Sequence, residues 1–172
     1  NYTAFEISEG IDLYGAFFEV ENTYDTTTLT LYSLTKHLTK VLPFVKEVIL
    51  TPSFSETEFN TFKTNAIERF KINLEKVSFI ARSAFMSAIF GASHPYGKPV
   101  SVQDYKDLTI ADIRSFYNKN YNLGNSNIII SGKANTKTID ILNTFFGETP
   151  ISKASTTNST LLEPSSTDNS SY

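Results

Sequence analysis

The sequence predicts an α+β domain, an antiparallel sheet with helices packed on one face. Three observations predict it. Residues 16–34 hold two period-two apolar runs, Phe18 with Val20 and Leu29 with Leu31, parted by a polar turn. The helical patterns are grouped together instead of alternating with strands. The chain is 172 residues long with 40% hydrophobic and 13% aromatic residues, enough for a core. A chain of this length buries roughly 70% of its unfolded surface.

Each element has its own local reason. Thr3 and Glu6 have the spacing of a capping box, opening a helix through about Leu13 with Ile7, Ile11 and Tyr14 as its apolar stripe. Gly15 ends it. Ala16–Glu21 and Thr26–Leu34 read as strands joined by Asn22-Thr23-Tyr24-Asp25, and Thr26-Thr27-Thr28 adds β-branched weight. Thr35–Leu50 has Leu38, Val41, Leu42, Val45, Val48 and Ile49 at helical spacing, with Pro43 as either a kink or the true first turn.

After the break at Thr51-Pro52-Ser53, Ser55 and Glu58 form a second capping-box pattern. It opens a long helix to about Leu74, with Phe59, Phe62, Ala66, Ile67, Phe70 and Leu74 on one face. Val77–Phe90 is another helix, stopped by Gly91. A Pro- and Gly-rich loop follows, then a turn over Ser101–Lys106. Thr109 with Asp112 opens a helix through Tyr121. Asn125–Ser131, centred on Ile128-Ile129-Ile130, is expected to be a central strand because its apolar run is continuous. Asn135–Phe146 is a last helix, closed by Gly147. These elements make one domain over residues 1–150. Residues 151–172 turn Ser-, Thr- and Asn-rich and read as a linker or tail, with Asn158-Ser159-Thr160 matching a glycosylation acceptor.

Charge and composition remove several function classes. The formal net charge is −3 and the basic residues are scattered, so nothing marks a nucleic-acid or anionic-membrane footprint. No apolar run approaches the 18 or so residues of a transmembrane helix. Asn1 is not a natural start, and an upstream segment is expected. Without cysteine there are no disulfides or thiolate metal sites. The compartment stays open, with a bacterial periplasmic or envelope setting favoured by the Ser/Thr/Asn-rich composition. His37 and His94 are the only histidines, and neither has a second His three or four residues away, so the chain holds no helical zinc motif of its own.

Several features in one order carry a resemblance. They are Ile11-Asp12 before Gly15-Ala16, the Pro52-x-Phe54 step before a long helix, and His94-Pro95-Tyr96-Gly97. Leu108-Thr109 with Phe116 and Tyr121 follows, then the apolar run ending at Gly132. From Asn1 to about Gly147 the chain resembles the pitrilysin/insulinase family of zinc metallopeptidases, the family of the processing peptidases. The resemblance implies an α+β domain that pairs with a second of similar topology, the two enclosing a peptide-holding chamber. In catalytic halves an H-x-x-E-H helix binds zinc with a further Glu from a later helix, and the motif's Glu serves as general base on zinc-bound water.

Carried onto this chain, the resemblance puts the H-x-x-E-H helix before Asn1. It puts the later zinc-binding Glu at position 69 and that residue's E-x6-E companion at 62. Counting forward from Pro52-x-Phe54 and back from His94-Pro95-Tyr96-Gly97 gives the same positions. Here they are Arg69 and Phe62. A guanidinium repels zinc and has no lone pair to offer. Glu68 and Glu75 also stand in E-x6-E spacing, but Glu75 needs a six-residue shift against both landmarks, and Glu68 a shift of one, which turns it about 100° away.

The expected metal and catalytic set of this chain is therefore empty, with Glu68 the one rescue. Zinc is expected in a catalytic partner or half, and a peptide as the shared substrate. His94 is expected to pack and fix its loop, His37 to be an exposed or half-buried side chain, and Lys98 and Lys106 to be surface charge. Two other readings stay open: a fragment of an active zinc metalloendopeptidase, and a structural subunit.

Overall fold

A computed structural model of the chain describes residues 2–121 and 123–147. The expected tail and its Asn158-Ser159-Thr160 triplet lie outside the described residues. Seven α-helices and one β-hairpin are found among them, in the order α1 Ala4–Asp12, β1 Phe17–Asn22, β2 Thr27–Tyr32, α2 Leu38–Leu50, α3 Glu56–Leu74, α4 Val77–Phe90, α5 Val102–Asp107, α6 Ile110–Asn120 and α7 Thr136–Leu142. The described residues cluster into two compact units, residues 2–53 with 115–147, and residues 54–114.

The first unit is built on the hairpin. β1 and β2 are antiparallel, with Phe18 opposite Leu31 and Val20 opposite Leu29. The connection holds because the Thr23 hydroxyl accepts from the Thr26 N–H at 3.0 Å, so a side chain closes the turn. Phe18 and Leu31 face a core of Ile11, Ala16 and Val41, with Ile7, Tyr14 and Phe44 around it. One face of the hairpin thus meets α1 and α2, while Phe17 and Tyr32 pair on the other at 6.0 Å between ring centres.

α1 opens with the Thr3–Glu6 capping box, its two reciprocal bonds at 3.2 and 2.8 Å. α1 and α2 approach closely at Gly10, where any Cβ would enter the Phe44 ring. A single 3₁₀ turn, Thr35–His37, leads into α2, so Pro43 lies inside the helix and is not its first turn. Pro43 is on the exposed side, where its missing N–H costs least. Later residues are tied back to these elements. The Tyr117 hydroxyl donates to the Ile49 carbonyl at 2.6 Å and the Tyr121 hydroxyl to the Thr27 hydroxyl at 3.0 Å.

Three expectations need correction. Asn125–Ser131 is not a strand. A 3₁₀ turn occupies Leu123–Asn125, and Ile128, Ile129 and Ile130 are exposed, Ile129 at 90%. β-Propensity acts through cross-strand partners, and the sheet here has two strands, β1 and β2. Ser101–Lys106 is not a bare turn, because Ser101 and Asp104 close a capping box that starts α5. The last helix is α only to Leu142, and Asn143–Gly147 widens into a π turn.

In the second unit α3 starts at Ser55, whose hydroxyl accepts from the Glu58 N–H. Phe70 is its buried centre, edge-on to Phe79 of α4 at 5.8 Å and 5.1 Å from Tyr105 of α5. The Lys63 ammonium donates to the carbonyls of Lys106 at 2.5 Å and Leu108 at 2.7 Å, a cation closing the C-terminal end of α5. The Thr109 hydroxyl and N–H both bind the Asp112 carboxylate at the start of α6. No helix among the described residues is long and apolar enough to cross a membrane.

Candidate functional site

The site singled out by the sequence is the outer side of α3. At about 100° per residue, positions 62 and 69 share one helix face to within about 20°. Phe70 is 7% exposed whereas Phe62 is 65% exposed, so Phe62 does not join the buried stripe as expected. It stands at the stripe's edge beside Arg69. The Arg69 guanidinium carbon lies 6.0 Å from the Phe62 ring centre, a cation over an aromatic face. Its Nε donates to the Asn65 carbonyl at 3.4 Å. Asn65, Glu68, Arg69 and Ile72 outline a shallow open hollow on this side of the helix.

Glu68 takes part in a different arrangement. Its carboxylate accepts from the Lys71 ammonium at 2.7 Å, one turn on, with both side chains more than half exposed. That is a solvated helix pair of small energetic weight. Glu75 caps the end of α3 and is exposed. Among the described residues no three His, Asp or Glu side chains gather into a group that could hold a metal ion. The arrangement of α3 offers a cation and an aromatic ring to whatever faces it.

The His94 loop is a separate construction at the end of α4. The imidazole lies over Phe90 at 5.1 Å between ring centres and meets Tyr96 edge-on at 4.9 Å, while Phe90 and Tyr96 are 5.2 Å apart. Nδ1 of His94 accepts from the Tyr96 N–H at 3.1 Å. Gly91 N–H and carbonyl begin the turn, and the His94 carbonyl accepts from both Gly97 at 3.0 Å and Lys98 at 2.9 Å. His94 is engaged in loop architecture. His37 is half-buried, 5.4 Å from Tyr14. The Lys98 and Lys106 side chains are exposed.

Gly97 enters the sequence reading only as the end of the His94-Pro95-Tyr96-Gly97 string, and it carries the tightest contact of the loop. It is buried, the Ser87 hydroxyl bonds its carbonyl, and a Cβ there would strike the Gly91 carbonyl oxygen and come within 3.1 Å of the Met86 carbonyl oxygen. Only a side chain of one hydrogen lets the loop fold back on α4. A His-Pro-Tyr-Gly string ends in a residue that commonly marks a turn, and that was the one available signal.

No family model matches the chain, and no curated protein matches it.

Proposed function

We propose that this chain is a non-catalytic zinc-peptidase-like domain of the pitrilysin/insulinase type. It pairs with a catalytic half or subunit and helps to enclose a peptide-binding chamber. The reading rests on the resemblance carried by Pro52-x-Phe54, His94-Pro95-Tyr96-Gly97 and Leu108-Thr109 in order. The single observation that carries its non-catalytic part is Arg69 on the outer side of α3, at the position the resemblance gives to a zinc-binding carboxylate, stacked on Phe62. A fixed positive charge there opposes a divalent cation, and an arginine has no lone pair with which to bind one. Glu68, the neighbouring residue in the chain, is engaged with Lys71.

In this reading the finer architecture is that of a processing-peptidase-like half with its helices on one face of the sheet. Zinc, the general base and the attacking water belong to the other half. This chain supplies wall and substrate contact, and an extended peptide is held by main-chain hydrogen bonds at an open strand edge, a mode indifferent to most of the peptide's sequence.

The test assays cleavage of a quenched fluorescent peptide by the full-length protein alone and together with the partner that co-purifies with it. Cleavage confined to the partnered sample is expected. Zinc-dependent cleavage by the protein alone, with H-x-x-E-H present upstream of Asn1, contradicts the proposal and favours an active metalloendopeptidase. Co-purification without any cleavage favours a structural subunit.

A further inference from the structure

We propose that Phe54 and Arg114 form a strained latch that closes residues 54–114 and fixes the turn from which α3 begins. Phe54 is the non-glycine residue with positive φ among the described residues, at 50°. In that left-handed region the Cβ of an L-residue crowds its own following carbonyl, and a bulky aromatic side chain there is an outlier. Neither glycine nor asparagine, the residues that tolerate such a step, stands at this position. A strained backbone of this kind persists only where its surroundings hold it.

Arg114 is part of that surrounding. Its guanidinium carbon lies 5.8 Å from the centre of the Phe54 ring. One Nη of the same group donates to the Phe54 carbonyl at 3.4 Å, across 60 residues of chain. A single planar cation thus grips both the ring and the backbone of the strained residue, a geometry suited to arginine and not to lysine.

Phe54 and Arg114 are also the first and last described residues of the second compact unit. The next residue, Ser55, is the N-cap of α3, so the left-handed step at 54 determines how the Ser55 hydroxyl meets the Glu58 N–H. The latch has two states. Gripped, Phe54 is left-handed and α3 starts at Glu56. Released, Phe54 relaxes to negative φ and the turn before α3 loses its shape.

Nuclear magnetic resonance tests this directly, because the one-bond Cα–Hα coupling of Phe54 reports the sign of φ. Positive φ is expected in the wild type and negative φ in Arg114→Ala and Arg114→Lys. Should Arg114→Ala fail to fold, the double variant Phe54→Gly/Arg114→Ala is expected to regain the fold, since glycine takes the left-handed conformation without strain. Positive φ retained in folded Arg114→Ala, negative φ in the wild type, or a double variant that stays unfolded would each overturn the latch.

Discussion

The Arg69 guanidinium stands 6.0 Å from the centre of the Phe62 ring, two helical turns apart on one side of α3. An exposed pair of this kind contributes on the order of 0.5–1 kcal/mol. Its consequence is electrostatic more than energetic. In the proposed reading this ring and this cation stand at the two positions that the resemblance gives to carboxylates.

Gly97 is the first place to test the architecture. Replacing it with alanine drives a methyl group into the Gly91 carbonyl oxygen, a backbone atom that yields only if the loop moves. A loss of about 1–3 kcal/mol is expected. Gly91→Ala should cost a similar amount for a different reason, because φ 78° with ψ 152° is open essentially to glycine alone. Urea denaturation of both variants measures this, and wild-type stability in either contradicts the loop geometry.

His94 should behave as a structural acceptor. His94→Ala removes the stack on Phe90 and leaves the Tyr96 N–H without Nδ1. A destabilisation of about 1–2 kcal/mol is expected. His94→Asn, which retains a short side-chain acceptor, should lose less. Equal losses would show that the hydrogen bond carries none of the effect.

Stability should fall in acid through three exposed capping carboxylates. The Thr3 N–H and then its hydroxyl hold the Glu6 carboxyl below its ordinary range. The Ser101 hydroxyl and N–H do the same for Asp104, and the Thr109 hydroxyl and N–H for Asp112. A carboxylate whose folded pKa is depressed contributes stability that is present above its ordinary value and lost as pH falls through the depressed one. The variant Thr3→Val/Ser101→Ala/Thr109→Val should therefore be less stable than wild type at pH 7. The difference should narrow as pH is lowered through the carboxylate range, and urea midpoints taken across that range check it. A gap constant with pH would contradict it.

At the alkaline end the relevant group is Tyr117, whose hydroxyl is pushed up by burial and donates to the Ile49 carbonyl at 2.6 Å. A folded pKa raised above the unfolded value gives stability that is complete below the ordinary phenol range and lost as pH rises through the raised one. Tyr117→Phe should cost about 0.5–1.5 kcal/mol at neutral pH. It should also lessen the alkaline decline, and an identical decline in the variant would contradict this.

What could be read in the sequence was what is decided locally. The spacings Thr3–Glu6, Ser55–Glu58 and Thr109–Asp112 place helix starts within one residue, because a cap depends on three or four consecutive residues. The hairpin was legible because its alternation and its polar turn agree. Ile128-Ile129-Ile130 misled because strand formation depends on a partner elsewhere in the chain, which the run itself does not encode. α5 was missed because six residues are too few to show a period, although Ser101 and Asp104 carried the signal. At the candidate site, the identities of Phe62 and Arg69 were legible, while the exposure of Phe62 was not, since it lies at the margin of the apolar stripe. The grip of Arg114 on Phe54 spans 60 residues and has no local signature.

In the proposed reading α3 of this chain supplies no zinc ligand. Zinc titration of the purified protein, followed by calorimetry and by metal analysis after dialysis, tests it most directly when wild type is compared with Glu68→Gln. The two proteins are expected to bind zinc identically. Stoichiometric zinc retained by the wild type and lost in Glu68→Gln would contradict it.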